Sequence, residues 1–111
     1  MKKKVAPSPF TKRLLADVGE NIKLARLRRN LSIRVIAERA GVATNTIVSL
    51  EKGSLGVSIG VVANVLHALG LADDIGMLAK DDTFGRKLQD VGLLPKKRAP
   101  KRKITETESE K

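Results

Sequence analysis

The chain contains no cysteine, one histidine and only two aromatic residues, Phe10 and Phe84. The lack of cysteine excludes disulfide frameworks, thiolate nucleophiles and cysteine-based zinc sites. A single histidine, His67, cannot form a histidine cluster for metal binding or acid–base catalysis. The scarcity of aromatic side chains disfavours modules that stack on single-stranded nucleic acid or RNA bases. Because no nucleophile–base set and no phosphate-binding glycine loop is recognisable, we expect no enzyme activity, no cofactor and no metal.

Long hydrophobic runs are also missing. No apolar stretch approaches the length of a membrane span, and the N-terminal sequence MKKKVAPSPF lacks the apolar region of a secretory signal. We therefore expect a soluble protein of the cytoplasm, without membrane association.

Positive charge is abundant and unevenly distributed. The chain has 22 Lys and Arg against 12 Asp and Glu, for a net charge of +10. Basic residues crowd the first half of the body and both ends, whereas Asp residues crowd the region 73–90. This pattern indicates a polyanionic partner, most simply nucleic acid; a basic protein without such a partner is the alternative.

The distribution of charge and apolar residues predicts three regions. Residues 1–7 are expected to be a disordered basic arm, and residues 95–111 a disordered charged tail that adds sequence-independent attraction to phosphate. Residues 8–94 are expected to form one domain with its core in 20–71. No segment alternates with the period of a strand, so the expected fold is an all-α bundle of five, possibly six, helices.

Capping residues and helical spacing mark the predicted helices. A first helix begins at Ser8-Pro9 and runs to Arg29; Gly19 weakens it, and a division into 9–18 and 20–29 is one expected outcome. Later helices are predicted over 33–40, about 44–52, from Ser58 to Gly70, near Asp73 and over 82–90. The fourth helix should bury five apolar residues: Ile59, Val62, Val65, Leu66 and Leu69. The acidic pairs Asp73-Asp74 and Asp81-Asp82 are interpreted as helix caps rather than metal ligands.

The second and third helices form the most informative pattern. Ser32 caps the second helix, Gly41 ends it, and the third follows after a short turn. Two short helices joined in this way are typical of a helix-turn-helix, whose second helix enters the DNA major groove. The outward side chains of that helix are short and polar or apolar, a choice that suits base edges better than water: Thr44, Asn45, Val48 and Ser49, with Lys52 at its end. An ordinary polar helix face is the alternative.

Residues 20–71, ENIKLARLRRNLSIRVIAERAGVATNTIVSLEKGSLGVSIGVVANVLHALGL, resemble the Cro/phage-repressor (XRE) family of helix-turn-helix regulators. The matching positions are Leu31-Ser32, Ile36-Ala37, Gly41-Val42, Thr46-Ile47, Leu50-Glu51-Lys52-Gly53 and Ala68-Leu69-Gly70. The resemblance implies a five-helix bundle whose third helix reads bases through Thr44, Asn45 and Ser49, with Val48 beside them. It implies phosphate contacts at Ser32 and Lys52, to which we add Arg28 and Arg29. It also implies a salt bridge between Arg26 and Glu51 that ties the first helix to the third.

Two positions depart from the family pattern. Ile33 stands where the family often has Gln, and Val35 is apolar where the family is usually charged. One usual phosphate contact is therefore not expected at Ile33, and both side chains are expected to pack under the N-terminal extension or against a partner.

A second resemblance concerns the flanking segments. The extension before the first helix, the segment DDTFGRKLQD and the basic tail are similar to those of small antitoxins encoded beside HipA-like kinase toxins. This implies a repressor that dimerises, controls its own operon and holds the kinase inactive; a free-standing or phage-type regulator is the alternative. The predicted homodimer would use Ile75, Leu78, Phe84, Leu88, Leu93 and Leu94, and would bind a palindromic operator in double-stranded DNA.

Overall fold

The computed structural model describes residues 6–92, which form six α-helices and no strand. The helices are α1 (Pro9–Arg28), α2 (Ile33–Ala40), α3 (Thr44–Glu51), α4 (Ile59–Ala68), α5 (Asp73–Gly76) and α6 (Thr83–Asp90). The predicted all-α fold class is confirmed for this part of the chain. The predicted tail and most of the predicted arm lie outside the described residues. None of the six helices is long and apolar enough to cross a membrane.

The chain divides into two compact units between Leu78 and Ala79. The first unit contains α1 to α5. The second contains α6.

Serine caps start three of the helices in the first unit. The hydroxyl oxygen of Ser8 accepts from the Thr11 amide at 3.2 Å, Ser32 serves α2 at 3.1 Å, and Ser58 serves α4 at 3.2 Å. Each cap satisfies one amide that has no partner within its helix. Pro9 follows the first cap, at a position where a missing amide hydrogen costs nothing. The three predicted helix starts are confirmed.

The acidic pairs do not both cap helices as predicted. Asp82 caps α6 by accepting from the Gly85 amide at 3.0 Å. The capping position of α5 is Ala72, and no side chain bonds to that helix end. The prediction that Asp73-Asp74 caps this helix was therefore wrong, since Asp73 follows the capping position by one residue. Both aspartates lie in the first turn of α5, where their charge interacts favourably with the helix dipole.

The core of the first unit is built where α1 to α4 meet. Ile36, Ile47 and Val65 are completely enclosed, one from each of α2, α3 and α4. Burying an aliphatic side chain of this kind contributes about 1.5–3 kcal/mol. The prediction that Ile59 is buried was wrong: its side chain is 65% exposed, because it is the first residue of α4 and lies at the mouth of a groove.

Gly19 does not divide the first helix, since α1 is continuous over 20 residues. The glycine is buried against the end of α3: a Cβ at position 19 would lie 2.6 Å from the carbonyl oxygens of Leu50 and Glu51. Gly53 makes a second close approach, where a Cβ would lie 2.7 Å from Cα of Ala16. Both glycines thus allow the backbone of α1 to lie directly against the end of α3. The free energy gained by this packing exceeds the loss that comes from the low helix propensity of Gly19.

We predict that Gly19→Ala lowers the free energy of unfolding by roughly 1–3 kcal/mol, the usual cost of overpacking. The sign is opposite to that of a normal Gly→Ala change in a helix. Gly60→Ala in α4 is the matched control, because its Cβ would meet only the Ser58 hydroxyl at 3.8 Å; it should leave stability unchanged or raise it. Urea unfolding followed by circular dichroism measures both. Equal stability of Gly19→Ala and wild type would contradict the packing argument.

Candidate nucleic-acid interface

The turn between α2 and α3 is short and tightly closed. Gly41 ends α2 with φ at +73°, a left-handed conformation that glycine adopts without steric cost. The Gly41 amide donates to the Glu38 carbonyl at 3.2 Å, and the Val42 amide donates to the Ala37 carbonyl at 2.9 Å. This paired closure satisfies the last carbonyls of α2 and turns the chain so that α3 begins at Thr44. The geometry is that of a helix-turn-helix.

The two faces of α3 differ in burial. Ile47 and Leu50 are buried in the core, as the helical spacing predicted. Of the four predicted base-reading side chains, Thr44 and Asn45 are exposed in the first turn. The other two side chains, Val48 and Ser49, are half-buried, so only part of each is accessible to a ligand. The most accessible part of the predicted reading face is therefore the N-terminal turn of α3.

A polar groove runs beside that face and was missed by the sequence analysis. It has a volume of about 420 Å³ and brings Asn45 and Ser49 together with Ser54, Gly56 and Ser58. The hydroxyl oxygen of Ser54 accepts from the Gly56 amide at 3.1 Å, which fixes this loop. The sequence signal for this groove is the run GSLGVS after α3, which contains two glycines and two serines. Loop residues of this kind often form binding surfaces as well as connecting two helices.

Arg26 and Glu51 meet between α1 and the end of α3. The Arg26 Nε donates to Glu51 Oε2 at 2.7 Å, and its Nη2 donates to Oε1 at 3.0 Å. The two side chains are only 8% and 7% exposed. This two-pronged arrangement fixes both position and orientation, because the planar guanidinium matches the carboxylate at two points.

The third donor of Arg26 extends the contact to another segment. Its Nη1 donates to the Leu31 carbonyl at 2.9 Å, in the connection between α1 and α2. The hydrogen bonds to Glu51 raise the pKa of the Arg26 guanidinium above its ordinary value and outweigh burial, which lowers it. The group is therefore charged at every pH at which the protein folds, and it joins α1, the α1–α2 connection and α3.

The predicted phosphate-contacting residues lie around the same helix pair. Arg28, Lys52 and Ser32 are exposed. The Ser32 oxygen already accepts the cap bond of α2, which leaves its hydroxyl proton free to donate. Arg29 is exposed too, but its Nη1 donates to the Ala25 carbonyl at 2.8 Å, so part of its donor capacity serves the end of α1.

Comparison with known proteins agrees with this geometry. Residues 17–75, more than half of the chain, match a family described as a helix-turn-helix domain. The chain belongs to this helix-turn-helix family. It is also 40% identical over 60 residues to y4mF of Sinorhizobium fredii, described as an uncharacterised HTH-type transcriptional regulator. The match covers 54% of this chain and 79% of that relative. The predicted class, an XRE-like helix-turn-helix regulator that binds DNA, is confirmed at this level.

The two departures from the family pattern differ in their surroundings. Ile33 of this helix-turn-helix domain packs partly against the hydrophobic core. Val35 is half-buried. Their apolar character therefore has a packing explanation at position 33, whereas nothing in the structure explains it at position 35.

The residues predicted to form a dimer fall in both units. In the first unit, Ile75 packs partly against the core and Leu78 is exposed. In the second, Phe84 is exposed and Leu88 is half-buried. The two remaining residues, Leu93 and Leu94, lie outside the described part of the chain.

We predict that Glu51→Ala destabilises the helix-turn-helix domain by about 3–5 kcal/mol, because it leaves the Arg26 charge buried without a partner. Urea unfolding gives this value directly. Glu38→Ala is the matched control: Glu38 pairs with Arg34 at 4.0 Å, with side chains 72% and 76% exposed. The control should stay within about 0.5 kcal/mol of wild type. A Glu51→Ala protein as stable as the control would show that the buried pair adds nothing.

Proposed function

We propose that this protein is a sequence-specific transcriptional repressor that binds double-stranded DNA in the bacterial cytoplasm. The observation that carries the proposal is the exposed N-terminal turn of α3, with Thr44 and Asn45 on a helix whose other end is fixed by the Arg26–Glu51 pair. Asparagine can bond bidentately to adenine, and threonine and serine can bond to either kind of base. Val48 and Ser49 follow on the same helix and read the adjoining base pairs, with the valine methyls against thymine.

The surrounding charges support a backbone-binding role. Arg28, Arg29 and Lys52 add positive charge near the turn, and Ser32 adds a hydroxyl donor at the start of α2. Such contacts set the register of the protein on DNA and attract it to any sequence. The polar groove adds the hydroxyls of Ser54 and Ser58, whose oxygens accept from the Gly56 and Val61 amides and whose protons can be donated to a phosphate.

The repressor acts as a homodimer in this proposal. One recognition helix reads too few base pairs to find a site in a genome, whereas two helices related by a two-fold axis read a palindrome. The half-sites would be separated by about 34–36 Å, one turn of the duplex. The interface would contain Ile75, Leu78, Phe84 and Leu88.

We further propose that the repressor is the antitoxin of a HipA-like kinase toxin and controls its own operon. Support comes from apolar side chains outside the residues that match the family. The first two turns of α1 precede the match and expose Phe10 and Leu14, which are four residues apart and form an apolar stripe. A domain that only binds DNA does not need such a stripe, and exposed apolar surface of this kind marks protein contact sites. The stripe is our candidate toxin surface, with the acidic region 73–90 as the second.

We predict that Asn45→Ala weakens binding to the operator by about 1–3 kcal/mol and leaves binding to random DNA nearly unchanged. Lys52→Ala is the comparison, because loss of a phosphate contact should weaken both by similar amounts. Gel shifts with the gene's own upstream region and a scrambled duplex, at one salt concentration, separate the two. Equal losses on both duplexes for Asn45→Ala would remove Asn45 from the reading face.

The antitoxin role predicts a stable complex with a kinase-like protein encoded beside this gene. After co-expression, the pair should co-purify, and Phe10→Ser with Leu14→Ser should separate them while operator binding is kept. Leu24→Ser is the matched control, because Leu24 is also exposed on α1 but lies outside the stripe. Failure of the wild-type pair to associate, with operator binding intact, would identify a free-standing regulator instead.

A further inference from the structure

The first unit contains an apolar groove between α1, the segment after α3, α4 and α5. Its volume is about 500 Å³, and all the residues around it belong to the first unit. Its principal lining side chains are aliphatic: Val18, Ile59, Val62, Leu66, Ile75 and Leu78. Ile59 and Leu78 are more than half exposed at its edges. We call this surface the apolar groove.

The second unit contains a helix, α6, with an apolar face that is largely exposed among the residues 79–92 that the structure describes. Phe84, Leu88 and Val91 recur at i, i+4 and i+7, so they share one face of α6 and its last turn. Phe84 is 71% exposed and Val91 is 65% exposed. Because eight residues are too few for a stable isolated helix in water, α6 needs a surface to pack on. We call this surface the α6 face.

We propose that the apolar groove receives the α6 face of a second copy of this chain, reciprocally. Each chain carries one groove and one helix, so a two-fold exchange fills both grooves, covers both helices and closes the assembly. The proposal rests on the homodimer of the proposed function and specifies how that dimer is built.

The polar residues around the two surfaces are complementary in charge. Asp74 lines the apolar groove and is exposed. On α6, Lys87 precedes Leu88 and lies beside the apolar face, whereas Arg86 lies on the opposite side and approaches Asp81 at 3.7 Å. A lysine beside the inserted face and a carboxylate at the groove favour this occupant over an acidic helix.

Chain connectivity and contact area agree with a symmetric exchange. The residues 79–82 join Leu78 to α6, and a link of this length spans at most about 17 Å. Two copies that exchange α6 must therefore pack side by side near Leu78. One phenylalanine, the largest side chain on the α6 face, buries only about 150–250 Å². A single eight-residue helix therefore falls short of the roughly 1,200 Å² that a stable interface buries. The reciprocal arrangement doubles the buried area.

The first test is sedimentation of the full chain at micromolar concentration. Wild type should be dimeric, and Phe84→Ser should weaken the dimer roughly ten-fold or more. Phe10→Ser, which also replaces an exposed phenylalanine but outside both surfaces, should leave the dimer intact. Asp74→Lys and Lys87→Glu should each weaken it, and the double variant should recover it. A Phe84→Ser protein that dimerises like wild type would overturn the inference while leaving a dimeric repressor possible.

The second test uses the natural absence of cysteine to decide which chain supplies the helix. A chain with Ile59→Cys is mixed with a chain with Val91→Cys and treated with a short bis-maleimide reagent. Linkage between the two different chains is expected, well above that of a Lys23→Cys control mixed with Val91→Cys. A chain carrying both Ile59→Cys and Val91→Cys that links only within itself would overturn the inference, because α6 would then fill its own groove. Wild type that is monomeric on and off operator DNA would overturn both this inference and the proposed palindrome.

Discussion

The arrangement of this domain depends on one buried guanidinium, that of Arg26. It bonds to Glu51 at the end of α3 and to the Leu31 carbonyl before α2. Three chain segments are thereby held at one point, and each bond has a fixed direction because the guanidinium is rigid and planar. A lysine at position 26 would supply the charge but not the two parallel hydrogen bonds of the planar guanidinium. An apolar residue would supply packing but no directional hydrogen bond. The pair thus sets the orientation of α3, which hydrophobic contacts alone specify less strictly.

The ion pair and the glycine contact act on the same end of α3. Gly19 allows the α1 backbone to approach the Leu50 and Glu51 carbonyls, and this approach brings Arg26, two turns further along α1, level with the Glu51 carboxylate. The C-terminal end of α3 is therefore immobilised by backbone packing and by charge together. The N-terminal end, with Thr44 and Asn45, has no side-chain cap and stays exposed. In the proposed function this asymmetry is what a recognition helix needs, since the fixed end would position the free one against a base edge.

Local signals predicted much of this structure, and tertiary effects account for what they missed. Serine caps, the Gly41 turn and the spacing of Ile47 and Leu50 are each readable within a few residues, so α2 and α3 were placed well. The Arg26–Glu51 pair joins residues far apart in the chain, and only the family resemblance pointed to it. The low helix propensity of glycine predicted a break at Gly19, but α1 is continuous there because Gly19 packs closely against the end of α3. Ile59 fits the apolar pattern of α4 yet lies at its first position, where the core does not reach.

The apolar groove connects assembly with recognition through shared residues. Leu50 in the last turn of α3 and Gly53 just beyond the helix contribute to its lining. Arg26 and Gly19 immobilise this same end of α3. Any helix seated in the groove therefore packs against the fixed end of the recognition helix, opposite the turn that carries Asn45. Filling the groove would cover this apolar surface and stiffen the support of α3. Under the proposed exchange, dimer formation and the positioning of the reading face become one event, since the contact that joins two copies also braces the helix that each presents to DNA.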